Sequence, residues 1–292
     1  MNAPGTVVVS TSWLAANLGN PGIRIIDVRG KVLPPGSHPR YLAKRSDYDR
    51  GHIPSAAFVD WTRDIVDLAD PVPVQLAPPD AFAATMSGLG IGDATLVIAY
   101  DDYDHMFAGR LAWALRYYGH DDVRLLEGGY TLWIAENRPV TSDSPVILPA
   151  RFTPRARPAL RRTADDVSRV LGRADVLLVD ARAPEQYAGK SSAATRAGHI
   201  PGARNVPYAA LIDPSSGRFR GKDELARTFA DAGIDVEHLP PEVVVYCNGG
   251  VSCTVASSAL AILGHEEVAV YDGSWNEWGN DPGRPIRTGS KP

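Results

Sequence analysis

The sequence predicts an α/β protein made of two tandem copies of one domain, each a mostly parallel sheet flanked by helices. Length and composition leave room for it: the chain has 292 residues, 44% hydrophobic and 22% charged, the balance of a folded chain with space for two ordinary domains. Short motifs recur in the same order in both halves. Within each half, continuous apolar runs alternate with amphipathic stretches, the pattern of strands buried on both faces and joined by helices.

The repeat is specific. Asp27-Val28-Arg29 returns as Asp180-Ala181-Arg182, and Gly51-His52-Ile53-Pro54 returns as Gly198-His199-Ile200-Pro201. The run Leu96-Val97-Ile98-Ala99-Tyr100-Asp101 reads like Val243-Val244-Val245-Tyr246-Cys247, and Tyr118-Gly119-His120 like Leu263-Gly264-His265. Gly128-Gly129-Tyr130-Thr131-Leu132-Trp133 matches Gly273-Ser274-Trp275-Asn276-Glu277-Trp278. A unit this long, present twice, implies paired globular domains rather than a solenoid.

In the second copy, Val176–Val179 and Val243–Tyr246 are predicted strands, while Asp223–Ala232 and Thr254–Leu263 are predicted helices, the latter closing at Gly264. Prolines at 139, 145, 149, 154 and 158 mark an extended segment between the copies. The expected division is therefore 1–140, a linker at 141–162, and 163–292. The arginines at 151, 155, 157, 161 and 162 lack interleaved aromatics and read as a solvated linker rather than a nucleic-acid stripe.

A net charge of -4 provides no broad attraction for nucleic acid or anionic membranes. No apolar run approaches the roughly 20 residues that span a bilayer, and the first residues lack the pattern of a secretory signal. The only cysteines are Cys247 and Cys253, too few for a disulfide framework and without histidines at zinc-ligand spacing. A cytoplasmic protein is expected, without metal or cofactor and with neither nucleic acid nor membrane as partner.

Cys247 is the candidate nucleophile. It ends an apolar strand and begins the loop Asn248-Gly249-Gly250-Val251-Ser252 ahead of a helix. Adjacent glycines let the backbone curl so that several N–H groups face one centre, and the helix adds its positive end. A thiol held there ionises below its free pKa of about 8.5. The same donors, Asn248 to Ser252, suit a terminal persulfide anion, with Ser252 expected to cap the helix and to offer its hydroxyl. A phosphatase loop of this type needs a closing arginine, and position 253 is a cysteine.

These residues together resemble the tandem-domain rhodanese family of sulfurtransferases over nearly the whole chain. The resemblance rests on Tyr48-Asp49-Arg50-Gly51-His52-Ile53-Pro54, Gly198-His199-Ile200-Pro201-Gly202-Ala203, the loop from Cys247, and Gly273-Ser274-Trp275-Asn276-Glu277-Trp278-Gly279. It implies that the first copy has lost its nucleophile, Asp101 standing in that place. It implies a ping-pong cycle in which Cys247 takes the outer sulfur of a small anionic donor and passes it to a thiol or cyanide. Thiosulfate is the leading donor. The alternatives are 3-mercaptopyruvate, or a persulfide carrier serving a protein partner. Arg182 is implied to pair with the donor's anionic end, its other reading being an ion pair with Asp180. The chain departs from the family where Gln186 replaces a second basic residue and where Asn248 and Gly249 are neutral. Lys190, Arg196 and Arg204 are candidates for the missing charge.

His52 and His199 are read as loop braces, since the cysteine-free copy keeps its own. Trp275 and Trp278, three apart, are read as packing residues, and Trp61, Asp64 and Asp67 as candidates to line a cleft between the copies. Cys253 is either a small buried residue or a thiol able to resolve an oxidised Cys247.

Overall fold

A computed structural model describes residues 6–292. The chain forms two compact units: residues up to Leu68 with Leu76–Arg157 and Pro214–Arg218, and Ala69–Gln75 with Pro158–Asp213 and Phe219–Pro292.

The first unit begins with strand β1 (Val8–Val9) and helix α1 (Thr11–Ala16), whose N-terminus is capped by the Ser10 hydroxyl accepting from Trp13 N–H. Strand β2 (Ile23–Asp27), the hairpin β3 (Gly30–Val32) and β4 (Tyr41–Ala43), helix α2 (Arg45–Arg50) and strand β5 (Ala57–Phe58) follow. Then come α3 (Pro79–Gly88), β6 (Leu96–Tyr100), α4 (Met106–Tyr117), β7 (Val123–Leu126) and α5 (Gly129–Ala135). The sheet order is β1-β7-β6-β2-β5, parallel throughout.

The second unit repeats this plan. It contains β8 (Arg161–Arg162), α6 (Ala164–Val170), β9 (Val176–Asp180), α7 (Pro184–Tyr187) and β10 (Arg204–Asn205). These are followed by α8 (Lys222–Asp231), β11 (Glu242–Tyr246), α9 (Cys253–Ile262), β12 (Ala269–Tyr271) and α10 (Ser274–Trp278). Read from β8, its parallel sheet runs β8-β12-β11-β9-β10, the order of the first unit element for element.

Register then places the site. Tyr246 pairs with Asp180 at the last position of the central strands, as Tyr100 pairs with Asp27 in the first unit. Cys247 and Arg182 therefore leave the sheet side by side at its carboxyl end, where ligands of parallel α/β sheets bind. The β11 residues Val243 to Tyr246 are buried, as continuous apolar strands covered on both faces must be. Tyr187, Val244, Tyr246, Tyr271, Trp275 and Trp278 belong to one buried cluster, and Ile25, Ile98, Tyr100, Leu126 and Trp133 to its counterpart. Each large apolar side chain so enclosed contributes about 1.5–3 kcal/mol.

The proline-rich segment after Thr141 is tied to the first unit by backbone hydrogen bonds. Ala150 N–H donates to Ser87, Arg151 accepts from Asp93, and Arg155 and Arg157 N–H donate to Tyr118 and Tyr117, so it runs as an extended strap along the first unit. Arg161 and Arg162 are edge-strand residues, held by ion pairs to Asp272 at 2.8 Å and Glu242 at 2.6 Å.

Candidate active site

The loop after β11 is held at several points by the start of α10. Cys247 N–H and Gly250 N–H both donate to the Ser274 hydroxyl, at 3.1 and 3.0 Å, and that hydroxyl donates to the Tyr271 carbonyl at 2.7 Å. Trp275 N–H donates to the Cys247 carbonyl at 3.0 Å and Asn276 N–H to the Asn248 carbonyl at 2.7 Å. Of the two glycines only Gly250 takes a positive φ, 71°. Ser252 precedes α9 without a side-chain cap bond. Its hydroxyl instead lies against the Cys247 sulfur, where it lowers the thiol pKa.

Burial alone would push the Cys247 thiol up, because a desolvated thiolate is costly. Donors outweigh it: the Cys253 thiol, the Ser252 hydroxyl and the N–H groups of Cys253 and Gly249 converge on the sulfur and pull its pKa down to about 5. These dipoles favour the thiolate form of Cys247. Asn248 is the half-buried residue of an otherwise buried loop, and its side-chain amide faces that of Gln186 at 3.4 and 3.5 Å.

Arg182 is enclosed. Its side chain is 0% exposed; Nε reaches both Asp180 oxygens at 3.0 and 3.1 Å, and one terminal nitrogen reaches Asp180 at 2.5 Å and the Gly198 carbonyl at 2.8 Å. Trp275 covers the guanidinium at 4.2 Å. Arg29 is arranged in the same way on Asp27, the Gly51 carbonyl and the Tyr130 ring at 3.9 Å. Tyr246 and Tyr100 complete the two networks, their hydroxyls bonding to Asp180 and Asp27 and accepting from Ile200 and Ile53. The recurring Asp-x-Arg and Gly-His-Ile-Pro motifs are thus stitched together, which is why the copy without a cysteine has both.

The first unit has the same cradle with a carboxylate in it. Asp101, 1% exposed, accepts from the N–H groups of Tyr103, His105, Phe107 and Ala108 at 2.8 to 3.1 Å. Its carbonyl accepts from Tyr130 N–H at 2.7 Å, as that of Cys247 does from Trp275.

His199 stacks on Tyr187 at 3.7 Å and bonds to its carbonyl, and His52 does the same with Tyr48 at 3.8 Å; both are braces. Trp275 and Trp278 are buried packing residues. Trp61 lines no cleft: it is 0% exposed, packs on Phe107 and donates to the Leu42 carbonyl within the first unit. Arg196 is committed to the carbonyls of Trp278, Asp281 and Arg284, while Lys190 and Arg204 are exposed. Among the described residues no three His, Cys, Asp or Glu side chains group as a metal set would, and no helix is long and apolar enough to cross a membrane.

Ser274 was missed by sequence reasoning. The signal was a difference between the copies: the first has Gly129 in that place, where a side chain would collide with the Asp101 carbonyl, whereas the second has a hydroxyl one repeat on.

A duplicated parallel α/β fold with a cysteine in a backbone cradle at a strand end has the arrangement that thiolate-based group transfer needs. Residues 10–136 and 163–281 each match the Rhodanese-like domain, and the chain belongs to the rhodanese family as a sulfurtransferase. It is 35% identical to the sulfur carrier protein TtuD of Thermus thermophilus, over 98% of both chains. It is 36% identical to the putative thiosulfate sulfurtransferase SseA of Mycobacterium tuberculosis, over 98% of this chain and 92% of that one. The structure of the 3-mercaptopyruvate sulfotransferase SseA from Escherichia coli superposes with a TM-score of 0.81 at 32% identity, covering 92% of this chain and 99% of that one.

Proposed function

We propose that residues 163–292 catalyse transfer of sulfane sulfur from thiosulfate to a thiophile through a persulfide on Cys247. The observation that carries this reading is the thiolate at about 5, surrounded by donors that also suit a terminal sulfur anion. Cys247 attacks the outer sulfur of thiosulfate, the S–S bond breaks, and sulfite leaves with the electron pair. Cyanide or a thiolate then takes the outer sulfur and returns Cys247 as thiolate. Gly249, Gly250, Val251 and Ser252 hold the sulfur-bearing loop, and Asn248 faces the incoming donor. Arg182, whose Nη1 has no hydrogen-bond partner, acts on the donor's anionic end by charge from beneath the loop. The cycle requires neither metal nor cofactor, and a reducing cytoplasm suits two unbridged cysteines.

A second reading is favoured by the uncharged Gln186–Asn248 pair beside the sulfur: a persulfide carrier that delivers sulfur to a protein. Assays with thiosulfate and 3-mercaptopyruvate, each with cyanide, separate the donors. Loss of all thiocyanate formation in Cys247→Ser is expected, and undiminished activity in that variant overturns the persulfide cycle. A wild type that turns over neither donor yet carries the mass of one extra sulfur favours the carrier.

A further inference from the structure

The persulfide cycle asks of Cys253 only that it donate to the Cys247 sulfur. It is the chain's other cysteine, unbridged and 0% exposed, and it begins α9. Its thiol and its own N–H both bond to the Cys247 sulfur. A thiol enclosed in this way meets the sulfur against it before any thiol in solution. Moreover, the sulfur it touches is the one the protein holds covalently, which becomes the inner atom of the persulfide.

We propose, resting on the persulfide reading above, that Cys253 is an internal acceptor that discharges the Cys247 persulfide as hydrosulfide when no external thiophile arrives. The Cys253 sulfur attacks the inner sulfur of Cys247–S–S⁻, a new S–S bond joins the two cysteines, and the bond to the outer sulfur breaks. The Cys253 proton passes to the departing atom, which leaves as HS⁻ with the electron pair. The outer sulfur is reduced to sulfide and the two cysteine sulfurs are oxidised to a disulfide, so no external oxidant enters. Thiol exchange at persulfide sulfur follows the rules of disulfide exchange, in which an apposed attacking thiol gains most. The disulfide is a resting state that ends when a reductant reaches Cys247.

The test uses the full chain, as wild type, Cys253→Ser and Cys253→Ala, loaded with thiosulfate or inorganic polysulfide, freed of donor and held without acceptor. Wild type is expected to release one sulfide per loaded chain and to fall in mass to two hydrogens below the reduced protein, with a Cys247–Cys253 peptide pair. Both variants are expected to retain the extra sulfur and release no sulfide on that timescale. A wild type that keeps its extra sulfur as long as the variants do, or variants that release sulfide as fast as wild type, overturns the proposal. Failure of all three to load with either donor overturns the persulfide reading and this inference with it.

Discussion

The Ser274 hydroxyl accepts the backbone N–H of Cys247 at 3.1 Å, tying the first turn of α10 to the candidate nucleophile. Through Gly250 N–H and the Tyr271 carbonyl it fixes both the loop and the end of the neighbouring strand. Ser274→Ala leaves two buried N–H groups and one carbonyl without this partner, at a cost of about 1–3 kcal/mol. Denaturant titration is expected to register that loss, and kcat/KM to fall roughly 10- to 100-fold as the sulfur shifts. Unchanged stability and turnover would show that the tie is incidental.

Alkylation of Cys247 by iodoacetamide is expected to rise with pH through a midpoint of about 5 and to be level by neutral pH. The folded pKa lies below the reference thiol value of 9.0. The stabilisation from this group is therefore complete above about pH 9 and is lost as pH falls towards about 5. Comparing the pH dependence of unfolding in wild type and Cys247→Ser checks the sign: the difference must grow in favour of wild type as pH rises. A midpoint near the free-thiol value contradicts the donor cradle.

Arg182→Ala leaves Asp180 buried without its guanidinium partner, a loss of about 3–5 kcal/mol. Arg29→Ala is expected to cost a similar amount, since Asp27 is equally enclosed. Urea unfolding measures both. A stable Arg182→Ala protein defective only in donor affinity would assign Arg182 to substrate alone.

Asp101→Cys, made in a Cys247→Ser background, places a thiol among the four N–H groups that now hold the carboxylate. Its pKa is expected to fall below that of an ordinary thiol, measured as alkylation at pH 6 relative to the parent. A thiol that titrates normally would show that backbone donors in this fold do not by themselves activate sulfur.

The duplicated architecture was legible because strand and helix periods are local and because the motifs recur in order. The boundaries of the predicted helices at 223–232 and 254–263 differ from α8 and α9 by a single residue. The local setting of Cys247 was equally legible, since strand, cysteine, glycines and helix are contiguous. The strap after Thr141 was less so, because its fixation comes from carbonyls and amides of Ser87, Asp93, Tyr117 and Tyr118, far away in sequence.

What the sequence determined by itself was the fold class and the repeat, and it offered Cys247 as the candidate, all from properties of neighbouring residues. Only the tertiary structure decided that Arg182 is sealed against Asp180, that Ser274 secures the loop, and that Cys253 directs its thiol at Cys247. Asp180 and Tyr246 meet through parallel strand register, and Ser274 reaches Cys247 from the end of the adjacent strand β12. Hydrogen bonds and ion pairs depend on distances and angles that chain proximity does not encode, so these relationships emerge only once the sheet has formed.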